Sequence, residues 1–386
     1  MARIVPPPWG FGECRINPIS LPAYSARREL PPPRRKRFTP VTRLMAECRA
    51  GYLCGTLTAP RCRVARTKQK TVLSFRWPID LGLTIASHGW VYLAPWQWNP
   101  DAGRLARVER IGSWTGTVAV TQHKPTTVTV HCDGFGTTDR SEILGRVRRW
   151  LSADWEPTAA IAALPDRAEL IERGGGRMLR DSTFYEDFVK TVLTINTSWS
   201  ATCRMVAALV AEPGSGAFPG PETVLDYGEE RLRARAKLGF RARTVVLTTR
   251  RMLDDGAITS LGEGAIERLE HDYLLALKGI GPYAAAHCRI LLHDFSRIPV
   301  DSVATAYLRQ RYGCDPAAFA ADRSSWADYL ALGYRLARLS EKLGLAVPPD
   351  RNETTGGKSP GSSPNLKAAG VSRTGTSRGH IKRRSR

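Results

Sequence analysis

Leu274-Leu275-Ala276-Leu277-Lys278-Gly279-Ile280-Gly281-Pro282-Tyr283-Ala284-Ala285-Ala286, followed by Ile298-Pro299-Val300-Asp301-Ser302, decides how this chain is read. The apolar run up to Leu277 predicts a helix that ends in a Gly-x-Gly turn, with a second helix beginning at once. Gly279 and Gly281 permit φ > 0 and leave no side chain in the way of a close partner. Pro282 suits the first turn of the second helix, where its missing N–H costs little. Such a turn offers free N–H groups and a positive helix end to an anion such as phosphate, and Lys278 adds a cation. The second helix is expected over 282–293, apolar on one face through Ala285, Cys288, Ile290 and Leu292. Asp301 then arrives 20 residues after Gly281, at the mouth of a helix over 302–311.

Each piece has a plain reading. Two glycines serve many tight turns between helices, and an aspartate before a helix is often an N-cap, a role worth about 1 kcal/mol. Together they are more specific. Leu277 to Ala285 with Pro299-Val300-Asp301 resembles the helix-hairpin-helix plus Gly/Pro-rich loop and Asp signature of the DNA glycosylase superfamily. Residues 188–196 with Trp199 are similar to an early helix and Asn-containing turn of its alkyladenine (3-methyladenine) and 8-oxoguanine branch. Leu238-Gly239-Phe240-Arg241-Ala242-Arg243 resembles that branch's Gly-aromatic-Arg-Ala-Arg segment, and Leu81-Gly82-Leu83-Thr84 resembles the opening of its N-terminal sheet domain. The resemblance covers 71–346.

The resemblance implies a base-excision-repair enzyme that flips a damaged base from double-stranded DNA and hydrolyses its N-glycosidic bond. Asp301 would be the catalytic carboxylate: bond cleavage leaves a cation-like sugar, which needs a fixed anion and an activated water. A helix N-terminus favours that negative charge. Tyr283 stands where lyase-competent relatives carry lysine. An amine can form a Schiff base with the sugar and a phenol cannot, so the enzyme should be monofunctional and leave an abasic site. Alkylated purines come first as lesions, and 8-oxoguanine second, because its enzymes usually keep that lysine.

Lys278, Gly279, Gly281, Asn196, Arg241 and Arg243 are the expected DNA contacts, with Asn196 plugging the duplex when the base leaves; local backbone bonding would explain it equally well. Tyr283 and Trp199 are candidate pocket residues, as is Trp326, although aromatics on helices usually pack in cores. The backbone carbonyls of Leu275, Leu277 and Ile280 would hold a monovalent cation (K+ or Na+) by analogy. Residues 231–251 carry eight Lys/Arg and no acid, a stripe for DNA or a solvated helix face. Two rivals stand beside this reading: a non-enzymatic DNA-binding protein using the hairpin as a phosphate clamp, which has no need of Asp301, and a glycosylase with lyase activity, which needs a further lysine.

Composition agrees with a nucleic-acid partner. The 386 residues carry 57 Lys/Arg against 36 Asp/Glu, a net charge of +21. Residues 1–70 hold 15 basic against 3 acidic groups and residues 351–386 hold 9 against 1, while the 280 between are nearly balanced, 33 against 32. Clustered positive charge attracts phosphate without regard to sequence. No run nears the roughly 18 apolar residues of a membrane span, and the first 20 residues lack the apolar block of a signal peptide. A cytoplasmic, DNA-associated protein, a monomer without membrane contact, is expected.

The eight cysteines form no CxxC pair. Cys48, Cys54 and Cys62 cluster but lack a fourth ligand and the usual zinc spacing. Only Cys314 follows Asp301, so no four-cysteine iron–sulfur cluster is expected. No cofactor is required.

At about 150 residues per domain the length suggests two or three domains. Residues 1–70, broken by Pro6-Pro7-Pro8, Pro31-Pro32-Pro33 and Arg34-Arg35-Lys36-Arg37, read as disordered. They are either a basic arm or upstream sequence wrongly joined to a shorter protein, and the abrupt onset of patterning near Thr71 favours the second. Over 71–158 short β-type runs at 71–77, 90–93, 115–120 and 126–132, a turn at Asp101-Ala102-Gly103 and a helix over 140–151 make a small β-rich unit. Over 159–346 the apolar spacing is helical, as at Phe184, Phe188, Val192 and Ile195 and again at Tyr329, Leu332, Leu336 and Leu339. Residues 347–386 read as a disordered basic tail. The expected class is α+β: a β-rich, TBP-like N-terminal domain, then an all-α helix-hairpin-helix domain, with disordered basic tails.

Overall fold

The computed structural model describes residues 68–136 and 139–344. The expectations for both basic tails and for the Cys48–Cys54–Cys62 cluster lie outside the described residues.

Five strands form one antiparallel sheet: β1 Gln69–Ser74, β2 Trp96–Asn99, β3 Arg104–Ile111, β4 Trp114–Lys124 and β5 Thr127–Asp133. Their order is β1-β5-β4-β3-β2. In the register, Val120 faces Val130 and Leu105, while Val118 faces Cys132 and Arg107. Side chains alternate across a strand, so one face collects Leu73, Val118, Val120, Val128, Val130, Leu105 and Ile111, all buried. Arg107 and Glu109 share that face and are buried with it.

Within the sheet segment lies α1 Leu81–Ala86, and then come α2 Arg140–Trp150, α3 Thr158–Ala163, α4 Ala168–Glu172, α5 Phe184–Val192, α6 Trp199–Ala211 and α7 Pro221–Tyr227. The remaining helices are α8 Glu229–Ala234, α9 Arg241–Asp254, α10 His271–Ala276, α11 Pro282–Ile290, α12 Ser302–Tyr312, α13 Pro316–Asp322 and α14 Leu330–Lys342. All nine residues of α5 are buried, its N-terminus capped by the Thr183 side chain on Glu186 N–H. It is the central helix.

In the sheet segment the structure corrects one expectation and adds detail to two others. Residues 90–93 are not β-type: Trp90–Tyr92 is a 3-10 turn, closed by Tyr92 N–H to Gly89 O (3.0 Å) and Leu93 N–H to Trp90 O (2.8 Å). Leu81-Gly82-Leu83-Thr84 opens a short helix, because Asp80 caps Leu83 N–H at 2.9 Å. The sheet starts at Gln69 and includes β2 and β3, which flank the expected turn at 101–103.

The charges on β3 are buried because α5 and the segment before it answer them. Arg107 meets Glu109 (2.6 Å), Asp181 (2.9 Å) and Glu186 (2.6 Å). Lys190, wholly buried, meets Asp181 (2.6 Å) and Glu186 (2.8 Å). Arg146 reaches Glu109 (2.5 Å) and Arg149 reaches Asp187 (2.6 Å). Four cations thus face four anions, which is what makes burial of each tolerable. The other oxygen of Asp187 accepts Trp90 Nε1–H at 3.1 Å and Asp181 N–H at 3.0 Å, so this network also fixes an aromatic wall described next.

Candidate functional site

Asp301 is exposed at the N-cap of α12, and its Oδ1 accepts the Ala304 N–H at 2.6 Å. The capping role is real and uses one oxygen. Among the described residues nothing is hydrogen-bonded to Oδ2, which is left to act on a ligand.

The hairpin joins α10 to α11 through Leu277–Gly281, with Leu277 O accepting the Ile280 N–H at 3.1 Å. Ile280 and Leu277 are buried anchors, whereas Lys278 and Gly279 face solvent. The two glycines are not alike. Gly279 has φ +85, and a Cβ there would lie 3.0 Å from Thr244 Oγ1 on α9. Gly281 has φ −105, extended backbone open to any residue, and a Cβ there would meet nothing within 4 Å. The freedom for positive φ that glycine permits is not used here; what Gly281 contributes is a bare approach to the start of α11.

The turn after α5 carries Asn196, exposed and left-handed at φ +48, a conformation asparagine tolerates better than most residues. Arg241, on the first turn of α9, donates from Nε to Ile195 O (3.1 Å) and from Nη2 to Ile195 O (2.5 Å) and Asn196 O (2.9 Å). Arg241 is 8% exposed and its guanidinium is committed to this turn. Expected as a DNA contact, it is placed as the clamp of the loop that presents Asn196. Arg243, two residues on, is exposed beside the Thr244 that underlies Gly279. The first turn of α9 therefore brings Asn196, Arg243 and the hairpin together. Of the basic stripe, Arg233 and Arg251 are paired with Glu229 and Asp255, and Arg231 bonds the carbonyls of Asp226 and Tyr227.

Tyr283 is half-buried on α11, its hydroxyl accepting from Thr194 Oγ1 at 3.4 Å. Burial pushes its phenol up, and the Asp301 charge adds to this. One helical turn on, His287 stacks on Tyr283 with centroids 6.0 Å apart and 20° between planes. His287 also meets Trp90 (5.0 Å) and His88 (5.9 Å), giving a continuous wall of four rings. Burial, then the Arg335 charge, hold the His287 imidazole down to about 3, and the same causes hold His88 well below its ordinary value. Both rings are neutral at physiological pH.

Sequence reasoning missed this wall and Arg335. His287 lies four residues after Tyr283 and so shares its helix face, a signal that was readable. Trp199 packs its ring over Gly89, where a Cβ would sit 2.7 Å from Cη2, so it borders the wall from α6. Trp326 lies against Gly333 and Phe319 as packing.

No family model and no curated protein matches the chain. Solved structures do. A 3-methyladenine DNA-glycosylase from Archaeoglobus fulgidus is 15% identical at a TM-score of 0.53, covering 72% of this chain and 100% of its own. MBOgg1 in complex with a low affinity DNA ligand is 18% identical, with a TM-score of 0.53 over 72% of this chain and 99% of its own. The chain has the fold of the helix-hairpin-helix DNA glycosylases. The apo 8-oxoguanine glycosylase/lyase of Clostridium acetobutylicum agrees, at 14% identity and a TM-score of 0.53 over 70% and 96% of the two chains. At such identities the glycosylase fold is the shared property. No helix among the described residues is long and apolar enough to cross a membrane.

Proposed function

We propose that the chain is a monofunctional DNA glycosylase, extruding a damaged base from duplex DNA and hydrolysing its N-glycosidic bond to leave an abasic site. The observation that carries this reading is Asp301, with one oxygen fixed by Ala304 N–H, the other open, and its charge acting on Tyr283 of the aromatic wall. A phosphate clamp alone needs neither Asp301 nor a wall.

In the mechanism, the bond from C1′ to the base nitrogen breaks and its electron pair leaves with the base. The Asp301 carboxylate stabilises the cation-like sugar, and its Oδ2 takes a proton from the water whose oxygen bonds C1′. Asn196 fills the space left in the stack, which offsets part of the few kcal/mol that extrusion costs. Lys278, Arg243 and the bare N–H face of Gly281 bind the phosphodiester. The Asp301 charge acts on the Tyr283 phenol, at the position where an amine would be needed for lyase chemistry. Lys190, the buried lysine of the core, is held by Asp181 and Glu186. Both features favour hydrolysis over lyase chemistry.

The carbonyls of Leu275, Leu277 and Ile280 would hold a monovalent cation. Leu277 O keeps a second lone pair beside its bond to Ile280 N–H, and Ile280 and Leu277 are anchored by burial, so these groups are compatible with the role. The ion would supply positive charge between hairpin and phosphate. The names of the fold neighbours bring alkylated purines and 8-oxoguanine as lesion groups.

The test is incubation of the full chain with lesion-bearing duplexes, followed by alkali, with borohydride trapping in parallel. Strand cleavage that appears only after alkali, with no covalent adduct, is expected. A trapped adduct would contradict the monofunctional assignment, and intact strands for every lesion would favour the clamp.

A further inference from the structure

One face of the sheet is buried against α2 and α5, and the other carries cations that nothing answers. Side chains alternate along a strand, so the register sets Lys70, His131, Ala119 and Ala106 in one row across the outer face. Thr129, Thr121 and Arg104 stand in the next row. Ala119, Ala106 and Thr129 are buried, and these small side chains make a low floor. Long side chains rise on either side of it: Lys68, Lys70 and His131 at β1 and β5, and Arg104 on β3. With Thr117 and Asp133 they line a groove of about 430 Å³. Among the described residues no acid stands within ion-pairing distance of Lys68, Lys70 or Arg104, whereas Arg107 on the inner face meets three. Burial first, then the charges of Lys70, Arg104 and His123, hold the His131 imidazole below its ordinary value. The groove is a site of unrelieved positive charge.

The make-up of this face says what it takes. Among its described residues there is no Phe, Tyr or Trp, so it lacks the stacking platform that single strands need. Its exposed large apolar side chain is Val72, too little for the apolar core of a protein interface. Cations and threonine hydroxyls suit phosphate oxygens. From β1 to β3 is three strand spacings, about 14 Å, comparable with the roughly 12 Å between the rims of a duplex major groove. Lys68 and Lys70 also end the stretch 1–70, with its 15 basic against 3 acidic groups. The position matters as much as the charge. The inner face meets α5 through Arg107 and Glu186, and α11, which carries Tyr283 and His287, packs on the same helix. The outer face therefore lies across the sheet from the candidate site.

We infer that the outer face of the sheet is a second duplex-binding surface, with Lys68, Lys70 and Arg104 on the phosphates of a DNA segment other than the one at the hairpin. One molecule then holds two duplex segments at once and passes between them without release into solution. The inference goes beyond the glycosylase reading, since a second segment takes no part in bond cleavage.

The experiment mixes the full chain with undamaged duplexes, half carrying a donor dye and half an acceptor, and reads energy transfer between them across a salt series. The comparison is a variant with Lys68→Ser, Lys70→Ser and Arg104→Ser, all at the surface, whose melting is checked against wild type. Wild type should bring the dyes together, and the variant should do so at least fivefold more weakly. The slope of log affinity for bridging against log salt should fall by about 2–3 with three phosphate contacts gone. Single-turnover excision and affinity for one lesion duplex should stay within about twofold. Absence of transfer with wild type overturns the inference, as does equal bridging by the variant, which would assign it to other parts of the chain. Excision falling in step with bridging also overturns it, because the face would then belong to the lesion contact. Polyglutamate held by this face while duplexes stay apart would replace DNA with an acidic protein partner. Bridging that the variant loses, with no excision of any lesion, keeps the inference and removes the glycosylase reading instead.

Discussion

His287 is held neutral in the fold down to about pH 3 by burial and by Arg335, whereas a histidine in the unfolded chain titrates near 6.5. Between these values the unfolded state binds more protons, so stability is full above about 6.5 and falls as the pH drops toward 3. The slope is about 1.4 kcal/mol per pH unit for this one group. Melting wild type and His287→Gln between pH 7 and 5 should show a shallower loss in the variant; parallel profiles would contradict the assignment. The two hairpin glycines make a second contrast. Gly279→Ala forces a side chain into φ +85 against Thr244 and should destabilise by about 1–2 kcal/mol. Gly281→Ala, extended and facing open space, should melt like wild type, so any lost affinity for duplex DNA would report on phosphate approach. Equal melting losses would show the two positions to be equivalent after all.

The elements differ in how readable they were. The hairpin, α5 and α12 follow from helical spacing and from Gly, Pro and Asp at their ends. β3 reads Arg104-Leu105-Ala106-Arg107-Val108-Glu109-Arg110-Ile111, and its charges hid a strand whose buried face carries Arg107 and Glu109. Only their distant partners account for it, Asp181 and Glu186 for Arg107, and Arg146 on α2 for Glu109. The Arg241 segment was read as a DNA contact because an arginine in sequence carries no sign of whether carbonyls await it. Its three bonds to the 195–196 turn predict that Arg241→Met leaves duplex affinity largely intact while weakening base extrusion. The fluorescence rise of 2-aminopurine in bound duplex should fall severalfold; an unchanged rise would return Arg241 to a minor packing role.

At the scale of the whole molecule, the ion network links the sheet, α2 and α5, and through Asp187 it holds Trp90 in the ring wall. The near balance of charge over the central 280 residues was visible in the sequence, but which charges were buried was not. Arg335 was likewise hidden, since an arginine between Leu332 and Leu336 reads as the solvent side of an amphipathic helix. Removing one member of the network leaves the others buried and unpaired, so Arg107→Met should cost about 3–5 kcal/mol in urea denaturation; a loss under about 1 kcal/mol would mean that Glu109, Asp181 and Glu186 find other partners. The catalytic claim itself rests on one carboxylate, and Asp301→Asn keeps its size and an oxygen to cap Ala304 while removing the charge. The decisive measurement is the single-turnover excision rate of this variant on the best wild-type lesion, with duplex affinity measured alongside. The account predicts a rate lowered at least a hundredfold at unchanged affinity, and a variant that excises at the wild-type rate would contradict it.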